Sequence, residues 1–217
     1  MEKEVKVREG EIIKTISFNE GEILQNILGL HIPDGYFELD PCYSTGAFYR
    51  RFDIREPDLK FDIDPQANGV LHADCRDLPL EDGSIESIIF DPPFLIGGAT
   101  YKESKEGSCK IAKRFTNFTS FKELKEMYSS SLREFNRILK PGGQLAFKCQ
   151  DVVSGGKQHF THCWVMYEAL RHGFYPKDLF ILLAKSRMTD RRKQQHARKF
   201  HSYWWVFEKK ENKIKYD

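Results

Sequence analysis

The sequence predicts an α/β fold: a seven-stranded, mainly parallel sheet whose last strand is reversed. Three observations carry that expectation. Short apolar runs alternate with segments of helical periodicity along most of the chain, which puts helices on both faces of a parallel sheet. The first four runs each deliver acid at the C-terminal end: Asp40, Asp62 with Asp64, Asp74 and Asp91. In a parallel sheet such ends share one edge, and that edge is where open α/β sheets bind ligands. The last two apolar runs leave no room between them for a helix of much length, so the seventh strand returns antiparallel.

The elements follow in order. Residues 1–17 are polar and charged, a loose arm or an early edge strand. Asn19 caps a helix through about Leu30, with Ile23, Leu24, Ile27 and Leu28 on one face. Tyr36-Phe37-Glu38-Leu39 is the first strand, and a small-residue turn over Tyr43–Phe48 opens a short helix. Leu59–Phe61 is the second strand and Gly69–His72 the third. Ser87-Ile88-Ile89-Phe90 is the fourth, a buried run that stops because Pro92 and Pro93 carry no N–H. Asp91 and Pro92, each preceding a proline, are held extended. The product is a stiff tip that aims a carboxylate, backbone carbonyls and the Phe94 ring outward.

Residues 95–119 form a long polar loop with several lysines; loops of this length inside a compact domain are usually functional lids or disordered. A helix spans about 120–139, with Leu124, Tyr128, Leu132 and Phe135 on one face, and Lys140-Pro141-Gly142-Gly143 ends it. Leu145–Phe147 is the fifth strand, a helix covers about 159–172, and Asp178–Leu183 and Ser202–Phe207 are strands six and seven.

Composition narrows the classes. At 217 residues with 40% hydrophobic and 30% charged residues the chain is globular, one domain over 1–217. A net charge of +2 gives no global argument for nucleic acid; only the distribution does. Seven basic residues (Lys185, Arg187, Arg191, Arg192, Lys193, Arg198 and Lys199) meet a single acid, Asp190, in one stretch. Five scattered cysteines without CxxC spacing argue against a disulfide framework or zinc ribbon and for the reducing cytoplasm. No signal peptide and no membrane span are expected.

The acid-tipped edge has the layout of a nucleoside site. An acid after the second strand suits ribose hydroxyls, and one after the third suits an adenine amine. The first turn holds a single glycine, Gly46, so a pyrophosphate is poorly served; a smaller cofactor with a carboxylate fits better. Cys42 and Cys149 read as structural thiols rather than nucleophiles. Asp64 and Asp77 read as surface acids. His159, His162 and Cys163 read as structural or surface groups rather than a metal site, and Trp204-Trp205 as packing.

Over about residues 18–208 the chain resembles the S-adenosylmethionine-dependent amino-methyltransferases of nucleic acids that carry a D/N/S-P-P-Y/F/W signature. Asp91-Pro92-Pro93-Phe94 is similar to the catalytic tetrad. Asp40, Pro41, Ser44, Thr45 and Gly46 are similar to the glycine-rich cofactor loop, of which only the last glycine is kept. Asp62 matches the ribose acid, and Asp74, with Cys75, the adenine side. Residues 17–25 sit where that family often adds a helix at the methionine end of the cofactor.

The resemblance implies the class I methyltransferase (Rossmann-like) fold, S-adenosylmethionine as cofactor and methyl transfer to an exocyclic base amine. Adenine in DNA comes first, with cytosine and guanine amines open. An RNA base methyltransferase is the alternative, and a non-catalytic nucleic-acid-binding module with the same fold a second. The expected partner is nucleic acid, DNA before RNA, and not a membrane. Phosphate contacts are expected from the basic residues of 185–201, and loop 95–119 is placed to close over a flipped base. No separate 80–100-residue target-recognition domain is evident within the chain.

Overall fold

The computed structural model describes residues 12–96, 118–185 and 195–211. Their centre is an eight-stranded sheet. In chain order its strands are β1 (Ile16–Ser17), β2 (Leu39–Asp40), β3 (Leu59–Asp62), β4 (Leu71–His72), β5 (Ile85–Phe90), β6 (Leu139–Cys149), β9 (Phe174–Leu183) and β10 (His201–Lys209). A separate hairpin pairs β7 (Val152–Ser154) with β8 (Lys157–His159). The helices are α1 (Glu20–His31), α2 (Ala47–Phe52), α3 (Phe121–Ile138) and α4 (Thr161–Arg171).

Across the sheet the order is β1-β9-β10-β6-β5-β2-β3-β4. Only β10 runs antiparallel to its neighbours, β6 and β9. The parallel sheet with a reversed last strand is therefore present. An eighth strand is added: Ile16 and Ser17 pair in parallel with Ile181 and Leu182. Two residues of a polar segment carry no alternating pattern, so the sequence does not decide between arm and strand.

Strand alternation divides the core in two. Ile88, Phe90, Leu145, Phe147 and Cys149 face α3 and α4, whose Leu124, Tyr128, Leu132, Phe135 and Val165 are fully buried. Ile89, Ala146, Trp204 and Val206 face α1, with its Ile23, Leu24, Ile27 and Leu28. The Ile, Leu, Val and Phe side chains among these each contribute about 1.5–3 kcal/mol by leaving water. The same alternation puts Lys148, two residues after Ala146, on the α1 face.

Two local expectations are corrected and one element is added. Lys140-Pro141-Gly142-Gly143 does not form a turn ahead of the strand but lies within β6. It is accommodated by a shift in register against β5 between Ile85 and Ser87. Gly142 has φ +80°, and a Cβ on Gly143 would come within 2.9 Å of the Lys140 carbonyl oxygen. The β7–β8 hairpin has no counterpart in the sequence reading; its turn is Gly155-Gly156, both at positive φ, a two-residue signature of tight hairpins. His159 belongs to β8 rather than to the following helix.

No helix among the described residues is long and apolar enough to cross a membrane. Helix α1 begins where the Asn19 side chain accepts from the Gly21 N–H at 3.0 Å. Replacing Asn19 by Ala removes that cap, and the urea unfolding free energy should fall by about 0.5–2 kcal/mol. An unchanged midpoint would show that tertiary packing alone fixes this end of the helix.

Candidate active site

The tips of β2, β3, β4 and β5 open on one cavity of about 370 Å³. Its floor is Pro41, Cys42 and Ser44, and its sides are Asp62 and Ile63, then Asp74, Cys75 and Arg76. Asp91 and Pro93 close it toward β5. Met127, Glu123 and Glu126 of α3, with Phe118, form the far wall. Of the expected site residues, Pro41, Ser44, Asp62, Asp74, Cys75, Asp91 and Pro93 are thus brought together. Asp40, Thr45, Gly46, Pro92 and Phe94 adjoin this lining without being part of it.

Asp40 is turned into the protein and 6% exposed. One oxygen accepts from the Cys42 N–H at 2.9 Å and the other from the Tyr49 hydroxyl at 2.6 Å. It ties the first turn to α2. Burial pushes its carboxyl up to about 7, against the pull of those two hydrogen bonds.

The turn itself is bent by Ser44, whose φ of +54° lies in the left-handed region. Its N–H donates to Asp62 at 2.7 Å. Ser44 stands where the resembling loop has a glycine, and it adopts the conformation glycine would take, at a cost of order 1 kcal/mol. Gly46 follows at φ +63°, and a Cβ there would collide with the Tyr43 ring. That ring stacks on Tyr49 at 5.4 Å.

Asp62 also accepts from the Asp64 N–H at 2.9 Å. Asp74 is paired with Arg76, whose hydrogen bonds hold its carboxyl below the ordinary value. A carboxylate has about four acceptor positions, so Asp62, with two engaged, retains capacity for a ligand, whereas Asp74 meets four contacts, all from Arg76. The cavity carries five carboxylates (Asp62, Asp74, Asp91, Glu123, Glu126) against one guanidinium already engaged. Such a field favours a cation with hydroxyl and amine donors and disfavours a pyrophosphate.

At the β5 tip Asp91 is partly open to the cavity, its side chain 37% exposed. Its Oδ2 accepts from Lys148 Nζ at 2.9 Å, and the same ammonium lies 2.5 Å from Glu20 Oε1. Lys148 is only 11% exposed and sits 5.3 Å over the Trp204 ring. Burial and the Glu20 charge push the Asp91 carboxyl up, while Lys148 pulls it down. Sequence reasoning missed both Lys148 and Glu20. The signal was a lone lysine at the end of an apolar strand beside the strand that bears the acid. Pro93 accepts at 3.4 Å from Tyr128, which fixes the proline loop to α3, and Phe94 packs half-buried against the same core.

The other residues singled out from sequence have structural partners. Cys149 is fully buried, and burial pushes its thiol up, which removes the nucleophile reading. Cys75 Sγ lies 3.4 Å from the Ser131 hydroxyl, and Cys42 is half-buried in the cavity wall beside it. His159 stacks on Phe121 at 4.0 Å, and His162 on Tyr203 at 4.1 Å while bonding Asp151 at 2.7 Å. No metal-binding cluster occurs among the described residues.

Lys185 and Arg198 are exposed and Lys199 half-buried, whereas Arg187, Arg191, Arg192 and Lys193 lie outside the described residues. His196 bonds the Gly156 carbonyl at 3.1 Å, which seats this end of the basic stretch on the β7–β8 turn. Most of loop 95–119 lies outside as well. Its ends meet at the cavity, where the Phe118 N–H donates to the Leu95 carbonyl at 3.1 Å.

No family model matches the chain, and no curated protein matches it. Among solved structures it is similar to the [4+2]-cyclase SpnF, at 13% identity over 88% of this chain and 81% of that one, with a TM-score of 0.50. It is similar to TrmN from Thermus thermophilus, at 18% identity over 87% and 48%, TM-score 0.47. A further likeness is to TTHA0409, also from Thermus thermophilus, a candidate DNA modification methylase complexed with S-adenosyl-L-methionine: 16% identity over 67% and 54%, TM-score 0.44. The chain thus spans about half the length of the last two (48% and 54%). The fold is the Rossmann-like, class I methyltransferase type. A fold shared with a cyclase does not fix the chemistry, which rests on the site.

Asp40 gives a test of the buried turn. An unfolded aspartate titrates near pH 4. Between about pH 4 and about 7 the native chain therefore keeps a proton that the unfolded chain has lost. Stability should fall as pH rises through that window and level off above it. Asp40→Asn should flatten part of the fall in urea midpoint; equal slopes in both proteins would contradict the assignment.

Proposed function

We propose that this chain transfers the methyl group of S-adenosylmethionine to an exocyclic amine of a nucleic-acid base, adenine in DNA before an RNA base. One observation carries the reading. Asp91, at the tip of β5, opens on the same acidic cavity as Asp62 and Asp74. An acceptor for a reacting amine and acceptors for a nucleoside thus share one chamber. The volume, about 370 Å³, lies within the range of small-molecule sites. The field of five carboxylates suits a ligand that carries a sulfonium and an ammonium.

In this assignment Asp62 accepts from ribose hydroxyls and Asp74 from the adenine amine. The Pro41–Gly46 turn, held by Asp40, supports the methionine end. S-adenosylmethionine, when bound, supplies a methyl group on a positively charged sulfur. The acceptor problem is the amine: its lone pair is delocalised into the base. Asp91 and the Pro92 carbonyl each accept one amine hydrogen, which draws the nitrogen toward tetrahedral geometry and turns the lone pair to the donor. The nitrogen then releases one proton to solvent. Transfer is direct, driven by positioning and electrostatics, and no thiol takes part. Phe94 offers its half-exposed ring to the base. We assign polymer contacts to the basic residues of 185–201, of which Lys185, Arg198 and Lys199 lie among the described residues.

Tritiated methyl donor offered with double-stranded DNA, single-stranded DNA and RNA should label DNA. Label in RNA alone would reverse the order of substrates, and label in none would remove the function. Asp91→Ala should slow transfer by ~10²–10³-fold with donor affinity unchanged; parallel loss of both would place Asp91 on the donor instead. Phe94→Ala should weaken base engagement by about 1–3 kcal/mol, read as an increase in the oligonucleotide KM.

A further inference from the structure

We infer that Lys148 is a positioning residue that divides the Asp91 carboxylate in two: Oδ2 bound to its ammonium, Oδ1 left as the acceptor for the substrate amine. In consequence this chain requires an acid at position 91. The inference rests on the proposed methyl transfer and names a constraint within that site.

The geometry is fixed on every side. Lys148 follows Phe147, which pairs with Phe90 across the parallel β5–β6 ladder, so Lys148 stands beside Asp91. Its ammonium reaches Asp91 Oδ2 at 2.9 Å and Glu20 Oε1 at 2.5 Å. Glu20 is the first residue of α1, where a negative charge is favoured by the helix dipole. It also accepts from Trp204 Nε1 at 3.4 Å, beneath the lysine. A lysine held by two carboxylates and an indole ring, 11% exposed, has little freedom to release Oδ2.

An ammonium has donors only. Residue 91 must therefore turn an acceptor toward Lys148 and a second acceptor toward the amine, which also donates. Aspartate meets both demands. Asparagine meets one. Its single oxygen is drawn to Lys148, and its NH2 is left facing the NH2 of the base, donor against donor. A signature that admits Asp, Asn or Ser at this place is thereby narrowed to aspartate in this chain.

The charged groups that act on Asp91 are Lys148 of β6, which lowers it, and Glu20 of α1, which raises it; Asp91 in turn raises the Asp40 carboxyl of β2 and the hydroxyls of Tyr49 in α2 and Tyr128 in α3. Lys148 is the cation among them.

The test is a rescue. Single-turnover transfer is measured for the full chain and for Asp91→Asn, Lys148→Met and the double variant. The acceptors are single- and double-stranded DNA and RNA oligonucleotides containing all four bases. Asp91→Asn should lose ~100-fold or more in rate. The double variant, in which the amide is free to flip, should recover at least ~10-fold over Asp91→Asn. Donor affinity should hold throughout. An active Asp91→Asn enzyme, or a double variant no faster than it, overturns the inference. Lys148→Gln replaces Lys148→Met if the methionine protein does not fold.

A second readout separates this inference from the function beneath it. In protein with 13C-labelled aspartate carboxyls and no substrate, Asp91 should titrate at higher pH in the lysine variant than in the parent. If no oligonucleotide is methylated, the proposed function falls. An unchanged Asp91 titration overturns the role of Lys148 whatever the activity.

Discussion

Two prolines without N–H groups end β5 at the edge where β2, β3 and β4 also end, and much else in the structure depends on that stop. Had the strand continued, the residue after Phe90 would have joined the ladder to β6 and its side chain would have entered a core. Instead Asp91 is held extended at the tip, and a carboxylate sits at the boundary between a buried sheet and a cavity. A charge in that place needs a counter-charge. Lys148 supplies it from the neighbouring strand, and Glu20 supplies the lysine's second partner from α1. A local rule of backbone chemistry thus reaches through one ion network to the start of the first helix.

The other side of the cavity follows similar logic. Asp40 is sacrificed to structure: buried, it holds the Cys42 amide and the Tyr49 hydroxyl, and so sets the turn that carries Ser44. Ser44 takes a left-handed conformation to direct its N–H at Asp62. Strain in a non-glycine residue at such a point is common where a loop must approach a ligand. Asp62, Asp74 and Asp91 face one volume, and in the proposed function their joint field favours a cationic nucleoside over a phosphate-bearing one.

Much of this was legible in the sequence, for identifiable reasons. The α3 stripe of Leu124, Tyr128, Leu132 and Phe135 has a period that few alternatives share. The acids at strand tips stand out because a charge directly after a buried run marks the point where the chain leaves the core. The reversal of β10 was expected because the last two apolar runs leave no room between them for a helix of much length. What escaped notice lacks a periodic signal. Strand β1 is two residues long and is defined by its neighbour β9 rather than by its own pattern. Lysine-proline-glycine-glycine reads as a turn, yet the left-handed Gly142 and a Gly143 with no Cβ to meet the crowded backbone let it pass along β5 as part of a strand. Lys148 looked like a strand-end charge; only the alternation that places it on the α1 face, opposite Glu20, shows that it is a partner of Asp91.

The central claim is that the acidic cavity at the tips of β2 to β5 holds the donor with Asp91 at its reacting end. The most direct measurement is a crystal structure with S-adenosylhomocysteine. The account predicts the nucleoside between Asp62 and Asp74, with ribose hydroxyls within hydrogen-bond distance of Asp62 and the sulfur turned toward Asp91. A ligand bound elsewhere, or lying in the cavity with its sulfur away from Asp91, would contradict it.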